Sequence, residues 1–260
     1  MKPTTLFDWI ALIGALAWLP PLISLLRSLL TRPLVRIIAE RKLELGFTSF
    51  GPIINVRMAF STERKDVVIT NLEFSLRHES GEQKVFRWEG VTQKMLQMQT
   101  LDAGTIPFEK EINVLAMKIT MREVEERFVR FQDPIFHESK EPYEAKVVKK
   151  LSHFLSQKPE SIDPFLEMEE TKDLASFVTQ AFAWKPGKYS LTFSIESPER
   201  FVLKDQNYEF VLGPLDIEAL EKNKENILKD LKNQILNYDK EKSEKIAWSW
   251  RYPKLKKNQA

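Results

Sequence analysis

The pattern of apolar and polar positions changes character along this chain. From Trp9 to Leu26 it reads WIALIGALAWLPPLISLL, 18 positions without a charge, closed by Asp8 and Arg27. Nine of the 18 are Leu or Ile. A helix over 5–31 would reach about 40 Å, more than the ~30 Å hydrocarbon core of a bilayer. The segment therefore predicts a membrane anchor over residues 1–32, a transmembrane helix kinked where Pro20 and Pro21 remove two backbone donors. Trp9, Leu12, Ile13, Leu16, Trp18, Leu19, Pro20, Pro21, Leu22, Ile23, Leu25 and Leu26 would be its lipid-facing residues. A hairpin turning at the prolines, or a monotopic anchor in the interface, is the alternative. A leader cleaved near Ala15-Leu16-Ala17 fits poorly, because apolar residues continue past it and Asp8 interrupts its start. Lys2 precedes the segment, whereas Arg27, Arg32, Arg36, Arg41 and Lys42 follow it. That excess assigns the body to the cytoplasmic side.

After Pro33 the period becomes two. Ile54, Val56, Met58 and Phe60 alternate with Asn55, Arg57, Ala59 and Ser61, as a half-buried strand requires. Val68, Leu72, Phe74 and Leu76 repeat the pattern, and Phe86 and Trp88 follow the turn residues His78–Glu82. A later run alternates Tyr189, Leu191, Phe193 and Ile195 with Ser190, Thr192, Ser194 and Glu196. Seven strands are predicted, near 35–45, 52–60, 67–79, 83–89, 105–119, 188–196 and 207–212.

Pro186-Gly187-Lys188-Tyr189-Ser190-Leu191 resembles the penultimate strand of immunoglobulin-like and fibronectin-type sandwiches. Those folds place a Tyr after a Pro/Gly turn with its hydroxyl bonded to an upstream backbone group. The resemblance implies that role for Tyr189. It also implies a seven-stranded immunoglobulin-like antiparallel β-sandwich over 33–213, mainly β with α additions, and names no family. The sequence departs from the pattern in having no Cys pair and in a long stretch between the fifth and sixth strands.

That stretch, about 120–185, reads as a helical insertion. Glu123–Phe131 and Pro142–Gln157 are predicted helices, the second with Pro142 at its first position. In it Tyr143, Val147, Leu151 and Phe154 form an apolar stripe, with Lys146, Lys149 and Lys150 outside. Leu174, Phe177, Val178, Ala181 and Phe182 suit a third, short helix, or almost as well a strand. Asp216 suits an N-cap for a long amphipathic helix from Ile217 to about Tyr238, within a 214–243 segment whose narrow apolar stripe could serve self-association. The tail, 244–260, interleaves rings with cations. Trp248, Trp250, Arg251, Tyr252, Lys254, Lys256 and Lys257 are candidates for an interfacial or partner contact, or for packing back onto the domain.

Charge and composition mainly exclude. The 260 residues carry 39 basic and 37 acidic side chains, a net +2, so no chain-wide charge argues for nucleic acid. Cys is absent, which removes disulfides, thiolate metal sites and Cys nucleophiles. His78, His137 and His153 fall in no metal-binding or catalytic spacing, and no glycine-rich phosphate loop or nucleophile elbow occurs. His78 is read at a turn, His137 in a polar loop and His153 on the amphipathic helix. Residues 163–170 hold the densest acids, without the spacing of a calcium loop. No cofactor, metal site or catalytic set is assigned. The sequence reads as a membrane-anchored, non-enzymatic binding or scaffold module with a protein partner. The alternative is a membrane-bound enzyme using His137, His153 and nearby carboxylates.

Overall fold

The computed structural model describes residues 16–100, 104–113, 115–158, 161–235 and 244–258. Trp9, Leu12, Ile13 and Tyr238 lie outside the described residues.

Helix α1 covers Leu19–Leu30. Twelve residues rise about 18 Å, well short of a hydrocarbon core. Among the described residues no helix is long and apolar enough to cross a membrane, which corrects the expected transmembrane span. Pro20 and Pro21 stand in the first turn of α1, where a backbone N–H has no helical acceptor to lose.

The strands are β1 (Leu34–Ala39), β2 (Glu44–Thr48), β3 (Gly51–Glu63), β4 (Val67–Ile69), β5 (Asn71–His78), β6 (Gln83–Thr100), β7 (Gly104–Asn113), β8 (Met117–Ile119) and β9 (Val124–Gln132). After the helices come β10 (Gly187–Glu196), β11 (Val202–Lys204), β12 (Asn207–Leu212) and β13 (Lys256–Lys257). Eleven of them form one curled sheet in the order β11-β1-β3-β9-β6-β5-β10-β12-β13, with β2 also on β3 and β7 also on β6. Strands β4 and β8 pair separately.

This half-barrel replaces the expected two-sheet immunoglobulin-like sandwich. The physical reason is strand length. β3 has 13 residues and pairs with β2 through 51–55 and with β1 through 58–63. β6 has 18 and pairs with β5 through 83–87, then with β7 from 90 onward. Strands that outlast their neighbours keep the sheet continuous and branch it, and the right-handed twist of a continuous sheet curls it.

The period-two runs do become strands. β10 buries Tyr189, Leu191 and Phe193 and exposes the residues between them. Its neighbour β5 buries Leu72, Phe74 and Leu76. Phe74 centres the core, with ring centroids 4.8 Å from Phe131, 5.3 Å from Phe86 and 5.5 Å from Phe193. The Tyr189 hydroxyl donates to the Lys185 carbonyl at 2.9 Å and accepts from the Lys185 N–H at 2.8 Å.

The insertion differs from its expected form. Glu123–Phe131, read as helix, falls instead in the strand β9 (Val124–Gln132) between β3 and β6, with Val129 and Phe131 buried. Helix α2 (Pro134–Ser156) starts eight residues before Pro142, which is internal to it. Its N-cap is Asp133, whose carboxylate accepts from the N–H groups of Ile135 and Phe136 at 3.0 and 3.2 Å. The stripe Val147 and Phe154 is buried. Helices α3 (Asp163–Leu166) and α4 (Glu169–Gln180) follow; of the two readings offered for Leu174–Phe182 the structure has the helix, which buries Leu174 and Val178 and ends before Ala181 and Phe182.

Among the described residues no long C-terminal α-helix forms. The segment divides into α5 (Pro214–Glu221), a 3₁₀ stretch (Lys222–Asn226) and α6 (Ile227–Ile235). Gly213, not Asp216, is the N-cap of α5. Asp216 sits one turn in, its carboxylate accepting the Gly213 N–H at 2.9 Å.

Candidate anion-binding groove

The aromatic, basic tail completes the half-barrel. Pro253 bars a helix, and the extended chain runs antiparallel to residues 41–45. Arg251 exchanges both backbone hydrogen bonds with Leu45, at 2.8 and 2.9 Å. Leu43 N–H donates to Pro253 O at 3.1 Å and Leu255 N–H to Arg41 O at 2.8 Å. The chain then crosses to β12, where β13 pairs Lys256 with Glu209 and Lys257 with Tyr208. Asparagines fasten its beginning. Buried Asn223 makes a reciprocal pair with Ser249, at 2.9 and 2.7 Å, and Asn233 does the same with Glu244, at 2.8 and 2.9 Å. Trp248 packs against the core and the Trp250 ring lies on Gly46. Tyr252 is exposed, its hydroxyl 3.4 Å from Glu44.

One edge stays open. β1 is edged by β11 at residues 34–36, and the tail takes over at residue 41. Between them the Tyr208 hydroxyl stands in for a strand, donating to Ile37 O at 3.1 Å and accepting from Ala39 N–H at 3.3 Å. Burial pushes the Tyr208 phenol above its usual range, although the Ala39 N–H acts the other way. The hydroxyl therefore keeps its proton at neutral pH and remains a donor.

The gap is a groove of about 630 Å³. Its apolar lining is Ile37, Ile38, Ala39 and Leu255, with Tyr208. Around this stand Arg41, Lys42, Lys254, Lys256 and Lys257, against one lining carboxylate, Asp205. Asp205 takes Lys257, Nζ to Oδ1 at 2.7 Å. Among the described residues Arg41, Lys42, Lys254 and Lys256 form no ion pair. Three of the seven tail residues singled out from sequence, Lys254, Lys256 and Lys257, thus meet in one place. Trp248 and Trp250 pack inward, and Arg251 faces Asp216 at 3.6 Å. Sequence reading missed Ile37, Ile38, Asp205 and Tyr208. The alternation Lys254-Leu255-Lys256 was the available signal, one apolar residue turned in between two cations.

The groove takes no lining residue from the described part of the N-terminal segment. A second concavity beside Trp184, Tyr189 and His78 measures about 30 Å³, room for little more than water. His78 there is buried, not at an open turn. Its Nδ1 lies 2.8 Å from Ser80 Oγ and accepts the Ser80 N–H, and its Nε2 lies 3.2 Å from Pro186 O. His137 is helical, in the first turn of α2, rather than in a loop. Burial is the main cause that lowers its pKa. His153 is exposed 16 residues further along the same helix, about 24 Å away, so the two do not share a site. Among the described residues no group of three or more His, Asp or Glu is placed to hold a metal.

Compared with family models and with curated proteins, the chain matches none.

Proposed function

We propose that the protein is a non-enzymatic binding module that takes an anionic ligand with an apolar body into the groove between β1 and the C-terminal segment. One observation carries this reading: four cations without an ion-pair partner among the described residues rim an apolar lining. Clustered like charges repel, and their arrangement around a concavity costs less when an anion lies among them. The apolar lining adds burial of a hydrophobic body, the usual make-up of a small-molecule site. Tyr208 and the backbone edge it satisfies keep the lining fixed.

The test is a fluorescence titration with 8-anilinonaphthalene-1-sulfonate, which joins one sulfonate to an apolar ring system. The wild-type protein is expected to bind it, more weakly as salt rises. Lys254→Glu with Lys256→Glu is expected to weaken binding at least tenfold. A matched reversal on α2, Lys146→Glu with Lys149→Glu, should leave it unchanged. Equal binding by the wild type and the groove variant would overturn the reading.

A further inference from the structure

Helix α1 presents a second surface, independent of the groove. We infer that α1 embeds in one leaflet of a lipid bilayer as a monotopic anchor, without crossing it. Every described side chain from Leu16 to Ile23 is exposed, and so is Leu26. Trp18 is 69%, Ile23 61% and Leu26 60% exposed. At 100° per residue the first turns, Leu19 to Ile23, are apolar on every side, while Ser24, Arg27 and Ser28 fall on one flank of the turns nearest the sheet. That distribution selects the occupant. A groove on a protein covers one stripe of a helix and leaves the far side polar, whereas an outer end apolar on every side belongs in a uniformly apolar medium, and a polar flank at the base suits the bilayer interface.

Charge complements the apolar surface where the helix meets the sheet. Arg64 Nη1 donates to Arg32 O at 3.3 Å, and Val202 N–H donates to Pro33 O at 2.9 Å, which brings Arg200 to the same end of β1. Arg32, Arg64 and Arg200 are exposed and, among the described residues, form no ion pair. Cations at the base of an apolar helix suit the phosphate layer of a bilayer, each favoured by anionic lipid. Trp18, at the opposite end of the described helix, adds a large apolar surface.

The experiment is flotation of the full chain with two vesicle types, phosphatidylcholine alone and phosphatidylcholine with 30% phosphatidylglycerol. The wild type is expected to float with both, more with the anionic vesicles, and to lose that preference in high salt. Leu22→Glu with Ile23→Glu should lower the floating fraction at least tenfold. Its melting temperature should stay unchanged, because these side chains are exposed and pack on no core. Arg32→Glu with Arg64→Glu should remove the preference for anionic vesicles. Two results would overturn the inference. One is a Leu22/Ile23 variant that floats like the wild type. The other is a wild type that floats with neither vesicle but forms a dimer that the same variant abolishes, which would assign α1 to a second copy of the chain.

Discussion

Replacing Gly46 with Ala should loosen the C-terminal segment. Gly46 lies in β2 opposite Ile53 of β3. A Cβ there would stand 2.3, 2.6 and 2.8 Å from three ring carbons of Trp250. Carbon atoms rest at about 3.5–4.0 Å, so ring and strand must separate by roughly 1 Å or more. The strand cannot give easily. It is paired to β3, and the Gly46 carbonyl accepts the buried Trp184 Nε1–H at 3.1 Å. Trp250 must move, and it carries Arg251, whose two backbone bonds to Leu45 hold the tail. Overpacking costs about 1–3 kcal/mol and the two hydrogen bonds, weakened but not lost, add roughly 1 kcal/mol together, a sum near 2–4 kcal/mol.

The measurement is a double-mutant cycle by urea unfolding, with circular dichroism as the readout because Trp250 itself is changed. Gly46→Ala alone should lower stability by about 2–4 kcal/mol. In a Trp250→Ala background no ring remains to meet the new methyl. There the same change should be neutral, or stabilise by up to ~1 kcal/mol through the denatured chain. The coupling between the two sites is therefore about as large as the single effect. An equal cost in both backgrounds would refute the placement of Trp250 on Gly46, and with it the seating of the tail against β2.

Tyr208→Phe keeps the buried ring and removes the hydroxyl between Ile37 O and Ala39 N–H. It should cost about 1–3 kcal/mol in urea unfolding. A change under ~0.5 kcal/mol would show that the hydroxyl is not what closes this edge. Phe74→Ala empties the centre of a four-ring cluster and should cost about 3–5 kcal/mol, read as a lower urea midpoint at unchanged slope. His137 makes stability depend on pH. Its folded pKa is lowered, chiefly by burial and also by Lys140, while Glu89, Glu144 and Asp133 oppose the shift. As pH falls through the unfolded value near 6.5, the unfolded chain takes up the proton first. Stability should therefore drop between about pH 7 and 5, and His137→Gln should flatten that slope. An unchanged slope in the variant would show that other groups set it.

What the sequence made legible was local. Tyr189 bonds to the backbone four residues upstream, a contact set by the Lys185–Gly187 turn, and it forms although the sheet around it is no sandwich. β5 and β10 were legible because each has one buried face, which imposes a period of two. β9 was hidden by its charges. Glu125, Glu126, Arg127 and Arg130 look like partners on a helix surface. In the structure Arg127 instead pairs with Glu125, two residues away on the same face of a strand. The long C-terminal helix failed for the opposite reason. Ile227, Leu231 and Ile235 keep helical spacing, but Asn223 is drawn to the Ser249 backbone where the chain tightens to 3₁₀. Partners like these, far apart in sequence, leave no periodic trace.

The groove illustrates the same limit and explains its own chemistry. It exists where the sheet lacks a strand, between β11 and the tail, and its walls come from Ile37–Ala39, Arg41 and Lys42, from Asp205 and Tyr208, and from Lys254–Lys257. Bare strand edges normally offer backbone groups that capture another strand. Here the Tyr208 hydroxyl occupies the Ile37 carbonyl and the Ala39 N–H. A peptide adding by backbone pairing therefore finds that stretch of edge already taken. The groove still offers side chains, apolar inside and cationic at the rim. Recognition by such a surface should weaken with salt and respond to charge reversal at Lys254 and Lys256, while substitutions that preserve charge should leave it largely intact.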